Sequence, residues 1–173
     1  MTRGFEKVSF EEFSKSSGIN PSVVKEIYDG IKLPHRSTKH SAGHDFYSPI
    51  TCYLQPGETI QVATGIKSYM QKDEVLQIYI RSSVGFKYNV RLNNSVGIID
   101  SDYFCNKTNE GHIHIKLTNH GNKEFILNQG EAIAQGIFVK FLVSDNDMPN
   151  NKRTGGIGST NKKGESQWIK FIA

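Results

Sequence analysis

From about residue 45 the chain is built of short runs whose apolar residues recur every second position, each closed by a turn. "QIYIR" (77–81) and "HIHIKL" (112–117) alternate strictly, as strands with one buried face do. "IQVATGI" (60–66) and "AIAQGIFVKFLV" (132–143) are rich in β-branched and aromatic residues. Gln55-Pro56-Gly57-Glu58, Gln71-Lys72-Asp73 and Asn128-Gln129-Gly130-Glu131 punctuate them as turns. Many short strands at this spacing restrict the fold to an all-β sandwich or barrel.

The two ends differ from this middle. Ser9-Phe10-Glu11-Glu12 fits a reciprocal capping box, and Asn20-Pro21 fits an N-cap with a first-turn proline ahead of "VVKEIYDG". Two short helices joined by a turn are expected. The cadence also suits a helix-turn-helix, but that motif needs further helices, and "IKLPHRSTKHSAG" (31–43) is not helical. The segment "SDNDMPNNKRTGGIGSTNKKGES" (144–166) is polar and rich in Gly and Asn, so a mobile arm is expected, ending in the apolar "QWIKFIA". The expected division is a helical N-terminal appendage at 1–33, a β core at 34–143 and an arm at 144–173.

At 173 residues the chain suits one domain, and its 22% charged residues suit a soluble one. No apolar run reaches the ~20 residues of a membrane-spanning helix, and the N-terminus lacks a signal peptide's apolar core. Cys52 and Cys105 stand far apart with no ligand spacing, so free thiols and a cytoplasmic setting are expected, with no membrane partner. A net charge of +4, spread along the chain, is too weak to argue for nucleic acid.

Five clusters fall at strand ends or loops: "SAGHDFYS" (41–48), "RSSVG" (81–85), "NSVGIIDSDY" (94–103), "GEAIAQG" (130–136) and "RTGGIGST" (153–160). Singly each has an ordinary explanation: Asp45 as a turn carboxylate, Arg81 as a strand-edge charge, Gln135 as a satisfied core amide. In that order, over residues 34–160, the set resembles the five motifs of the trimeric dUTPase family.

The resemblance implies a distorted jelly-roll β-barrel of the β-clip type, assembled as a homotrimer with sites at subunit interfaces. Motifs one, two and four would come from one chain, the third from a neighbour and the fifth from a third chain's arm. The implied activity is hydrolysis of dUTP to dUMP and pyrophosphate. Asp100 would direct the water that attacks the α-phosphorus. Residues 94–100 would form a β-hairpin receiving the nucleoside, with Asn94 reading the uracil edge, Gly97, Ile98 and Ile99 as pocket wall, and Tyr103 against the deoxyribose. Asp102 would serve an interface or turn. Arg81, Ser82, Ser83 and Gln135 would hold the triphosphate. Arg153 would close over the γ-phosphate, while Gly155, Gly156 and Gly158 let the arm approach beside Ile157 and Ser159. Mg²⁺ would arrive with the nucleotide and meet Asp45 only through water; no dedicated metal cage is visible.

Ile157 stands where the family usually has a stacking Phe, Ala132 where it has Arg, and Cys105-"NKTNEGH" implies a longer loop after Tyr103. The rival dCTP deaminase reading meets Phe86 where that family has Arg. A dUTPase-fold regulator would bind nucleotide without turning it over. A structural nucleic-acid binder would need a concentrated basic stripe that is not found.

Overall fold

A computed structural model describes residues 2–147, 149, 153, 155 and 156. Ile157, Gly158, Ser159 and the "QWIKFIA" tail lie outside the described residues. In chain order the elements are β1 (Gly4–Lys7), α1 (Phe10–Ser17), α2 (Val24–Asp29), β2 (His44–Tyr47), β3 (Cys52–Leu54), β4 (Thr59–Ala63), β5 (Ile66–Tyr69), β6 (Glu74–Ile80), α3 (Ser82–Tyr88), β7 (Val90–Leu92), β8 (Gly97–Asp100), β9 (His114–Asn119), β10 (Phe125–Leu127) and β11 (Ala132–Lys140). Every ladder among the described residues is antiparallel.

The described strands form four small sheets, in the orders β2-β11-β6-β8, β4-β9-β7, β3-β10 and β1-β5. The result is the expected jelly-roll-like β-clip, distorted enough that the described strands do not close into one continuous barrel. Alternation sets the inner faces. Along β9, Ile115, Leu117 and Asn119 are buried while Lys116 is exposed, and the inner face joins Phe46, Leu76, Leu127 and Ile133 in one core.

Three local expectations are corrected. The N-terminal region, expected to hold helices alone, opens with β1, which pairs with β5 in register Gly4↔Tyr69 to Lys7↔Ile66. The helices lie on the sheets: Val8, Phe13 and Val24 pack with Ala63 of β4. The capping box is half formed. Ser9 Oγ accepts the Glu12 N–H at 3.1 Å, but the Ser9 N–H is taken by Glu110 at 2.9 Å, and Glu12 turns inward. Asn20 opens a turn ahead of α2 rather than capping it, its side chain accepting the Ser22 N–H and its carbonyl the Val23 and Val24 N–H groups.

"RSSVG" starts a helix, α3, that the strand-dominated surroundings had hidden. Arg81 is extended, its carbonyl accepting the Val84 and Gly85 N–H groups at 3.0 Å, and left-handed Asn89 ends the helix.

Gly136 sits in mid-β11, where an added Cβ would lie 2.8 Å from Phe46 and 2.9 Å from Leu76 Cδ1. Both obstacles are side-chain atoms that can yield at a cost. Gly136→Ala is expected to lower the unfolding free energy by about 1–3 kcal/mol, read from the midpoint shift in urea denaturation.

Candidate active site

Three of the five clusters converge at one end of the four-stranded sheet. Asp45 on β2 stands opposite Gln135 on β11. Arg81, directly after β6, places its Nε 3.2 Å from Asp45 Oδ1, while Ser37 Oγ donates to Asp45 Oδ2 at 2.6 Å. Gly43 makes room for the amide beside it, since a Cβ there would lie 2.3 Å from Gln135 Oε1. Ser82 and Ser83 form the first turn of α3, where N–H groups point out of the helix end. A cation, hydroxyls and amides thus gather around one buried carboxylate, a donor set suited to phosphate oxygens.

The third cluster builds a different wall. Asn94, Gly97, Ile98, Ile99, Asp100 and Tyr103 line a cleft of about 470 Å³. The expected hairpin is not one: β7 pairs with β9 and β8 pairs with β6, so the turn between them bridges two sheets. Its Ser95 is left-handed at φ +58°, and the Val96 N–H donates to the Asn94 carbonyl at 2.6 Å. Gly97 packs tightly on β6, with a Cβ position 3.1 Å from Ile78. This leaves the strand's peptide edge close to the cleft.

Register fixes how far apart the two groups are. Asp100 is opposite Val75, near the start of β6, and Arg81 follows its far end. Six residues at about 3.3 Å each separate them by roughly 20 Å along the strand.

Within the chain, Arg153 pairs with two acids: Nη2 with Asp100, and Nε with Asp102 Oδ1 at 2.7 Å. Its guanidinium lies 5.7 Å from the centre of the Tyr103 ring. Two exposed carboxylates on one short turn form a local anionic site, and an arginine fork satisfies both. Asp102, in the short turn Ser101–Tyr103, is thus a partner of Arg153. Gly156 donates its N–H to Thr108 Oγ1 at 3.0 Å.

A dUTPase family model matches residues 29–161. The chain belongs to the dUTPase family. It is 47% identical over 140 residues to the deoxyuridine 5'-triphosphate nucleotidohydrolase of Lactococcus lactis subsp. lactis (strain IL1403), covering 80% of this chain and 93% of that one. The dUTPase of Streptococcus mutans superposes with a TM-score of 0.65 at 36% identity, over 83% of this chain and 99% of that one. A mutant dUTPase from phage phi11 of S. aureus, which coordinates a structural Mg(II) ion, shares the fold at TM-score 0.62 and 18% identity, over 87% and 98% of the two chains.

Beyond the family motifs, sequence reading missed the groups behind the cleft. Glu12, His112 and His114 bring ligand-type atoms within 4.8 Å of one another. Hydrogen bonding explains His112 without a metal. Its Nε2 accepts the Gly65 N–H at 2.8 Å, which puts the proton on Nδ1. Ser16 Oγ gives its own proton to the Glu12 carbonyl and so receives that of His112 Nδ1 at 2.9 Å. No lone pair of His112 remains for a cation. The "HIHIKL" alternation did signal that both imidazoles share one face, opposite that of Ile113, Ile115 and Leu117.

Burial holds His112 down to about 2 and His114 to about 4, and lowers His44; it raises Glu12. The histidines are neutral in the fold but titrate near 6.5 when unfolded. Their contribution is complete above about pH 6.5 and is lost as pH falls toward the folded values; Glu12 opposes it in part. Between pH 6.5 and 4, unfolding free energy is expected to fall with acidification at up to about 2–3 kcal/mol per pH unit. Replacing His112 with Gln should flatten that slope in denaturation curves taken across the range.

Proposed function

We infer that this dUTPase hydrolyses dUTP to dUMP and pyrophosphate by attack of water on the α-phosphorus, draining dUTP and supplying dUMP for thymidylate. The cleft at Asn94, Gly97, Ile98 and Ile99 takes the uracil: the Asn94 amide offers a donor and an acceptor, and the tight Gly97 wall leaves little room for a 5-methyl group. Tyr103 lies flat against the deoxyribose, and Asp100 at the cleft mouth accepts the water's proton. Arg81, Ser82, Ser83 and Gln135 hold the triphosphate. Phosphoryl chemistry asks mainly for positioning and charge neutralisation, which this set supplies.

The observation that carries the reading is the separation along β6. One chain holds Asp100 and Arg81 roughly 20 Å apart by strand rise. That is too far for one nucleotide unless Asp100 of one copy faces Arg81 of another. A homotrimer with sites between subunits meets that requirement. In it Arg153 transfers from Asp100 to the γ-phosphate, which frees the carboxylate as the water is positioned. Ile157, Gly158 and Ser159 complete the arm's closure.

Mg²⁺ supplies neutralisation of the phosphate oxygens when bound. Asp45 suits contact through water, because one of its oxygens is already ion-paired with Arg81 and the other accepts from Ser37. The free thiols of Cys52 and Cys105 support a reducing, cytoplasmic setting. No helix among the described residues is long and apolar enough to cross a membrane.

Asp100→Asn is expected to lower turnover by about 10²–10⁴ while calorimetry still detects dUTP binding. Pyrophosphate release across dUTP, dCTP, dTTP and UTP should favour dUTP strongly; ammonia from dCTP would point to a deaminase instead. Subunit exchange checks the shared site. Asp100→Asn and Arg81→Ala chains, each inactive alone, should recover roughly one quarter of wild-type turnover when refolded together. Continued inactivity of the mixture would place the whole site within one chain.

A further inference from the structure

The loop at residues 104–111 lies between the third motif and β9, and the amides in its interior converge on Tyr103. The Tyr103 hydroxyl is fixed from two sides. It donates to the His112 carbonyl at 2.9 Å and accepts from Asn109 Nδ2 at 2.8 Å. The orientation of the Asn109 amide is itself determined. Its Oδ1 accepts from Asn106 Nδ2 at 2.7 Å and from the Gly111 N–H at 3.2 Å, which leaves the NH₂ group for the phenol. Asn106 Nδ2 also donates to the Tyr103 carbonyl at 2.9 Å, so the loop grips this residue by backbone and ring together.

The loop is held rigidly from outside. Cys105, Glu110 and Gly111 are all left-handed, and a Cβ on Gly111 would lie 2.6 Å from the Tyr103 carbonyl oxygen. The Glu110 carboxylate receives the N–H and hydroxyl of Ser9, at 2.9 and 2.5 Å. His112 is held by Ser16 of α1 and by the Gly65 N–H. The N-terminal segment, most of it outside the matched family region, thus braces the loop that holds Tyr103.

We propose that Asn109 is a positioning residue for sugar discrimination: its amide fixes the Tyr103 hydroxyl and so sets the height of the ring against which a ribose 2′-OH collides. This rests on Tyr103 being the deoxyribose wall. Burial keeps the phenol protonated, as donation to the His112 carbonyl requires. A ring free of the clamp can tilt or withdraw, and the first molecule to benefit is UTP rather than dUTP.

The test is the ratio of kcat/KM for dUTP over UTP, which loss of folded enzyme leaves unchanged because both terms fall together. Asn109→Leu, or Asn109→Ala if the leucine variant aggregates, is expected to lower the ratio by about fivefold, mostly through a gain in UTP turnover, as befits loss of one hydrogen bond. In a Tyr103→Phe background the hydroxyl is gone, and the same substitution should change the ratio by less than about twofold. An unchanged ratio in the single variant, or an equal drop in both backgrounds, overturns the proposal, because Asn109 would then act without the hydroxyl. Tyr103→Ala separates the underlying reading: if it leaves the ratio intact, Tyr103 is not the sugar wall and the proposal falls with that reading. If Tyr103→Ala collapses the ratio while Asn109→Leu does not, only the positioning role is lost.

Discussion

Strand β6 is hydrogen-bonded along both edges, to β11 on one side and β8 on the other. That double pairing fixes two registers at once. On the β11 side it brings Gln135 level with Tyr79 and, through β2, Asp45 within reach of Arg81. On the β8 side it sets Gly97 opposite Ile78 and Asp100 opposite Val75. Because side chains alternate along a strand, a slip of one residue would turn either set to the wrong face. The buried Leu76 and Ile78 prevent such a slip by locking β6 into the core.

Much of this was legible in the chain. Strict alternation at 77–81 and 112–117 located β6 and β9, the Pro-Gly and Asn-Gln-Gly turns bounded their neighbours, and five ordered clusters named most residues that line the two walls. The parts that were hidden depend on contacts distant in sequence. The strand at 4–7 has no pattern of its own and exists because β5 offers it an edge. The helix at 82–88 carries a mid-helix glycine and follows a strand without a turn residue, so local propensity disguised it.

The capping box shows the same limit more sharply. Ser9 and Glu12 have the right spacing, and Ser9 does cap α1. Yet a glutamate a hundred residues downstream supplies the second half, which releases Glu12 to face His112. Spacing rules describe which bonds are possible within a helix. They do not see a better acceptor delivered by tertiary structure. The arm carries a similar lesson: its one arginine among glycines does not reveal that the guanidinium meets Asp100 and Asp102 of its own chain.

That last contact changes how nucleotide binding is to be understood. With Arg153 resting on the two carboxylates, the cleft already carries its counter-ion, so its electrostatic balance is not set up afresh by each arriving polyanion. Under the proposed function, binding is an exchange in which one set of oxygens surrenders the guanidinium to another. The work of separating charge would then be small, and Asp100 would gain open lone pairs only once a phosphate had claimed its cation.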